Sequence, residues 1–144
     1  MSADTQRADA RALVLGVRSL ARLACLPRSR VRAAMDDGRL DTLTTDALRG
    51  RTCHYVRVDS DRFDAWLAHQ STPPVYLDEL EVPRTNGGFP WFYTADVRRA
   101  ASEGHVQLDR RDRVAIDAAW LRWAAGWMPE GERAAVVGTP CEHP

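Results

Sequence analysis

Arg28, Arg30 and Arg32 alternate with small and apolar residues inside the run from Leu20 to Met35. A guanidinium is planar, permanently charged and rich in N–H donors. It pairs two-pronged with phosphate oxygens or with the O6 and N7 edge of a guanine. Three of them on one short helix make up chemistry for a polyanion. A second set, Arg49 and Arg51, flanks Gly50 between the β-rich segments Asp41 to Thr45 and His54 to Val58. A hairpin with cations at its tip suits contact with a phosphate backbone.

The elements that hold these residues follow from spacing and turn chemistry. Ala10 to Gly16 is a short apolar run that fits either a helix or a lead-in strand. Ser19 is the expected cap of a helix running to about Cys25. Pro27 sits in a tight turn, and Arg28 or Ser29 opens a second helix that ends at Gly38, a natural left-handed stop. Val31, Ala34 and Met35 lie at i, i+3 and i+4 and share its buried face, so the arginines project elsewhere. Asp59 or Ser60 caps a further helix whose core stripe is Phe63, Trp66 and Leu67. Gln70-Ser71-Thr72-Pro73-Pro74 reads as a linker.

Composition narrows the function classes. A hydrophobic content of 44% supports a packed core. No apolar run approaches the ~20 residues of a membrane helix. The first residues lack the charged-then-apolar profile of a signal peptide, so the expected location is the cytoplasm, with no membrane partner. Cys25, Cys53 and Cys141 are odd in number and widely spaced, which argues against a disulfide framework. Cys53-His54 and Cys141-Glu142-His143 lack a second ligand pair at zinc-site spacing, so no metal and no cofactor is expected. Walker, dinucleotide, nucleophile-elbow and His-Glu-x-x-His motifs are missing, and Asn86-Gly87-Gly88 is a turn rather than a phosphate cradle. The chain is therefore not expected to be an enzyme. The formal net charge is zero, but from Arg18 to Arg57 nine arginines stand against Asp36, Asp37, Asp41 and Asp46, a local +5. A neutral chain with one basic segment can still hold a nucleic acid through that segment. All the basic residues are arginine, which reflects a GC-rich coding bias and carries no functional weight.

The pattern returns after the linker. Leu77 to Thr85 resembles the stretch from Leu20 to Ser29 with a deletion. Asp96 to Val106 resembles Arg30 to Leu40. Val114 to Leu121 resembles Val56 to Phe63. Asn86 to Tyr93 is inserted, and the second hairpin, Gln107 to Arg113, is shorter, with Arg110 and Arg111 at its tip. A duplicated unit is expected; the alternative is one domain with two similar helices. Asp78, Glu79 and Glu81 make the start of the second copy acidic. Trp91, Phe92, Tyr93, Trp120, Trp123 and Trp127 give it an aromatic load that fits a core or, in part, a protein interface.

From Val17 to Leu67 the chain resembles the winged helix-turn-helix superfamily of excisionases and mercury-resistance-type regulators. The resemblance rests on Leu20-Ala21, Leu26, Val31 and Ala34 at the small or apolar positions. It also rests on Asp36-Asp37-Gly38-Arg39-Leu40 closing the second helix, and on Tyr55 to Val58 followed by Asp61 to Leu67. Cys25 stands where the family's turn usually has glycine, and Leu40 to Tyr55 is longer than in compact excisionases. The resemblance implies a mainly α fold with small β-hairpin wings; with the internal repeat, the expected arrangement is tandem winged helix-turn-helix modules at 10–70 and 75–128, with flexible tails at 1–9 and 129–144. It implies binding of double-stranded DNA, as a transcriptional regulator or excisionase-like factor. Arg28, Ser29, Arg30 and Arg32 would lie nearest the bases, with Arg39, Arg49, Arg51 and Arg57 toward phosphates. For Arg98, Arg99, Arg110 and Arg111, contact and a solvated surface weigh equally. The alternative function is a protein-interaction or phage packaging module on the same scaffold.

Overall fold

The computed structural model describes residues 12–46, 52–80 and 90–128. Strand β1 (Val14–Gly16) runs directly into helix α1 (Val17–Ala24), and α2 (Arg28–Asp36) follows after three residues. Strands β2 (Thr42–Asp46) and β3 (Thr52–Arg57) come next, then α3 (Asp61–Ala68). The second stretch contains β4 (Val75–Tyr76), a 3-10 turn at Leu77–Leu80, α4 (Thr94–Ser102), β5 (Arg113–Val114) and α5 (Ala118–Ala125). The described residues are thus mixed α and β, with helices predominant and small antiparallel sheets.

The ambiguous run before Val17 is a strand. It pairs antiparallel with β3, Leu15 opposite Val56 and Gly16 opposite Tyr55. Helix α1 therefore starts three residues earlier than the Ser19 cap predicts, with Gly16 at its N-cap and no side-chain cap bond. Burial of Val14, Leu15, Leu20 and Ala21 fixes this frame. Each large apolar side chain contributes about 1.5–3 kcal/mol, more than the ~1 kcal/mol of a serine cap. Ser60 does cap α3, its hydroxyl accepting from the Phe63 N–H. Phe63, Trp66 and Leu67 form the expected buried stripe. The Trp66 indole N–H is buried without a partner among the described residues.

Three helices end the same way. After α1 the N–H of Leu26 donates to Ala21 O and that of Cys25 to Arg22 O, with Cys25 at φ 57°. After α2, Arg39 donates to Ala34 and Gly38 to Met35; after α4, His105 donates to Ala100 and Gly104 to Ala101. Gly38 and Gly104 have φ of 77° and 84°. This paired bonding satisfies last-turn carbonyls and requires a left-handed residue, usually glycine. Cys25 occupies that place in the first helix at a steric cost.

Strand order repeats between the halves. In the larger sheet the order is β1-β3-β2, and Val56 lies between Leu15 and Thr42. In the smaller, Val114 lies between Val75 and an isolated bridge from Leu108. Leu77 directly follows its strand, as Val17 does, so the structural counterpart of Leu77 is Val17 rather than the Leu20 that residue matching indicates.

One apolar cluster crosses both stretches, joining Leu15, Leu20, Val31, Val56 and Phe63 to Val75, Phe92, Val97, Trp120 and Leu121. The Trp120 indole N–H donates to Leu23 O at 3.1 Å, supplying one of the orphan carbonyls at the end of α1. Arg122 donates to Val58 O at 2.9 Å and to Asp64 at 2.6 Å. The opposite face of the larger sheet is covered too: Trp91 and Met128 pack with Val14, Leu43 and Tyr55. Of the aromatic residues in the second stretch, Trp91, Trp123 and Trp127 are half-buried and Tyr93 is exposed. Phe92 and Trp120 are fully buried. Phe92 also meets Trp123 at 4.9 Å between ring centres. No helix among the described residues is long and apolar enough to cross a membrane.

Candidate nucleic-acid interface

Helix α2 stands on Val31 and Ala34, both fully buried, with Met35 half-buried beside them. At 100° per residue this anchoring places Arg28 and Arg32, one turn apart, on one flank and Arg30 on the other. The ridge farthest from the core is Ser29, Ala33 and Asp36. The arginines thus straddle the outer face rather than lying opposite the apolar stripe. All three are exposed. Arg28 and Arg32 have no hydrogen-bond or carboxylate partner among the described residues. Arg30 reaches only the neutral side chain of Gln70, at 3.5 Å. The first turn of α2 contains no acid, and its N-cap, Pro27, makes no side-chain bond.

Gln70 is a contributor that sequence spacing does not reveal. Its amide donates to Trp66 O at 3.1 Å, which anchors it at the end of α3, and its carbonyl oxygen then faces Arg30. It lies 40 residues from Arg30 in a stretch that reads as a linker. Arg62 is a second: it donates to Gly38 O at 3.0 Å and faces Asp41 at 3.4 Å, tying the end of α2 to α3.

The remaining expected residues divide. Arg39 pairs with Asp37 at 3.0 Å. Arg57 pairs with Asp59 at 2.7 Å, and Asp59 also accepts the Leu13 N–H, so this guanidinium belongs to a network that fastens β1 to β3. Two-residue strand spacing puts Arg57 and Asp59 on one face, which is why they meet. Arg49 and Arg51 lie outside the described residues, as does the expected hairpin tip around Gly50.

Helix α4 uses the same inward pair, Val97 and Ala100. Its outer chemistry differs. Arg98 faces Asp112 at 3.5 Å, and Arg99 pairs with Asp96 at 2.9 Å. Asp96 also accepts the Tyr93 N–H at 2.8 Å, capping the helix. Arg110 and Arg111 are exposed on the turn between Asp109 and Asp112. That turn is held by the Asp109 carboxylate, which accepts the N–H groups of Arg111 and Arg113 and the Arg113 guanidinium. The Arg113 backbone N–H, above all, holds the Asp109 carboxyl below its ordinary range, and the bond from Asp109 pushes the Arg113 guanidinium up.

Comparison with protein-family models, with curated proteins and with solved structures finds no match. The functional reading therefore rests on this chain's own geometry.

Two other features bear on chemistry. A small cleft of about 140 Å³ lies between the stretches, lined by Arg22, Leu23 and Cys25 on one side and Val75, Glu79, Leu80 and Pro90 on the other. Burial, and then the Glu79 charge, push the Cys25 thiol above its ordinary range. It remains protonated at neutral pH, which is the wrong state for a nucleophile. No group of three or more His, Cys, Asp or Glu side chains that could hold a metal ion forms among the described residues. Cys141 and His143 lie outside them.

Proposed function

We propose that this chain binds double-stranded DNA by laying α2 in the major groove, as a transcriptional regulator or excisionase-like factor acting in the cytoplasm. In this reading it is built as two winged helix-turn-helix units at 10–70 and 75–128. The observation that carries the proposal is the outer surface of α2, where Arg28, Arg30 and Arg32 stand exposed with no carboxylate partner among the described residues while Val31 and Ala34 fix the helix from behind. Cations left unpaired on a rigid helix gain most from phosphate, because no internal ion pair has to be broken. The sheet of order β1-β3-β2 packs on α1, and α1 in turn carries α2. The rival reading as a protein-interaction module draws on net neutrality and on the aromatic residues; of these, Phe92 and Trp120 are fully buried and Trp91 packs on the sheet, while Tyr93 is exposed.

The test is selection of bound duplexes from a random library with the purified chain, followed by affinity measured against salt. The selected duplex is expected to bind more weakly as salt rises, with a logarithmic slope near −0.9 per phosphate neutralised. Arg30→Ala is expected to weaken the selected duplex by about 5- to 150-fold, the range for one good base contact. No enrichment and no duplex binding at low salt would overturn the proposal.

A further inference from the structure

The two helices that could enter a groove are built on one frame and differ in what they show to solvent. Residues of α2 and α4 correspond one to one: Val31 with Val97, Ala34 with Ala100, Gly38 with Gly104, with the same terminal bonding pattern in each. Along this correspondence Arg28 becomes Thr94, Arg30 becomes Asp96, and only Arg32 keeps its charge, as Arg98. Thr94 is turned inward, its hydroxyl donating to Leu77 O at 3.0 Å. Asp96 sits in the first turn, and Arg98 and the neighbouring Arg99 each face a carboxylate.

We infer that only α2 reads sequence, and that α4 stays out of the groove. The chain then recognises one short, asymmetric segment of duplex rather than two tandem or repeated half-sites. This rests on the DNA-binding reading above and deepens it. Exposed ion pairs such as Arg98–Asp112 are weak and can open. Opening them does not free a cation for DNA, because the carboxylate remains beside the phosphate and repels it. Asp96 cannot swing clear, since it is held as the helix cap by the Tyr93 N–H. Arg110 and Arg111 sit on a turn rather than a helix, and phosphate contacts from a turn position a protein without adding a reading head.

The experiment is the same library selection run in parallel on the wild-type chain, R28A/R32A and R98A/R99A, with circular dichroism confirming that each is folded. Wild type is expected to return one contiguous motif that fits within a single helical turn, about 10 base pairs. R98A/R99A is expected to return that same motif with an unchanged salt slope. R28A/R32A is expected to blur or lose it. A motif of two blocks, or a block that vanishes in R98A/R99A, overturns the division between the helices while leaving DNA binding intact. Failure of every form to enrich any duplex overturns the underlying reading, and this one with it.

Discussion

Helices α2 and α4 have the same length, the same inward pair and the same left-handed glycine two residues past the end, yet among the described residues one presents three arginines without a carboxylate partner and the other none. The frame depends on Val31, Ala34 and Gly38 and on their counterparts Val97, Ala100 and Gly104. The outer arginines of α2 are free to change because they make no contribution to that frame, whereas in α4 Asp96 caps the helix. Surface exchanges away from caps and networks typically move stability by less than about 0.5 kcal/mol. Substitutions that reverse the binding character of such a helix are therefore nearly silent in folding. Cations on α2 and ion pairs on α4 are two occupants of similar platforms.

Four substitutions test how far the shared frame extends. The largest effect is expected from Trp120→Ala, which empties a fully buried site and strips Leu23 O of its donor. It should cost about 3–5 kcal/mol, read as a lowered denaturation midpoint. If the two stretches were independent, α3 and the larger sheet would keep their midpoint, and the single-core picture would fail. Next, Gly38→Ala and Gly104→Ala should each cost about 1–2 kcal/mol, because both residues hold a left-handed backbone. Nothing lies within 4 Å of a Cβ at either glycine, so backbone conformation alone sets the cost. Unequal costs would show that the matching bond patterns do not bear equal load. The smallest effect is expected at Cys25. Replacing it with glycine relieves the same left-handed strain that the other two helices avoid, less the burial its half-covered side chain supplies. A net gain of under about 1 kcal/mol is expected, and a lower melting temperature would contradict it.

Much of the frame is legible in the sequence because it is local. The Gly38 stop, the Val31–Ala34 face, the Ser60 cap and the Phe63–Trp66–Leu67 stripe all follow from turn chemistry and periodicity. Cys25 at a position that favours glycine foreshadows its left-handed backbone. What the sequence hides is long-range. The pairing of Leu15 with Val56, which turns the ambiguous early run into a strand and overrides Ser19 as a cap, spans most of the first half. The docking of Trp120 on α1 and the cover that Trp91 and Met128 give the sheet have no periodic signature. At the candidate site the exposure of Arg28, Arg30 and Arg32 is readable from helical spacing. The partners of Arg57, Arg98 and Arg99 are not, because a charge count does not say which carboxylate lies within reach. Gln70 escapes for the same reason.

The bond between Trp120 and Leu23 also has a consequence in time. Its two ends are 97 residues apart. At roughly 5–20 residues per second, α1 leaves the ribosome on the order of five to twenty seconds before its indole donor does. Throughout that interval Leu20, Leu23 and the underside of the larger sheet face water or a chaperone. A chain that stalls after the proline-rich linker is thus the form of this protein most prone to aggregate.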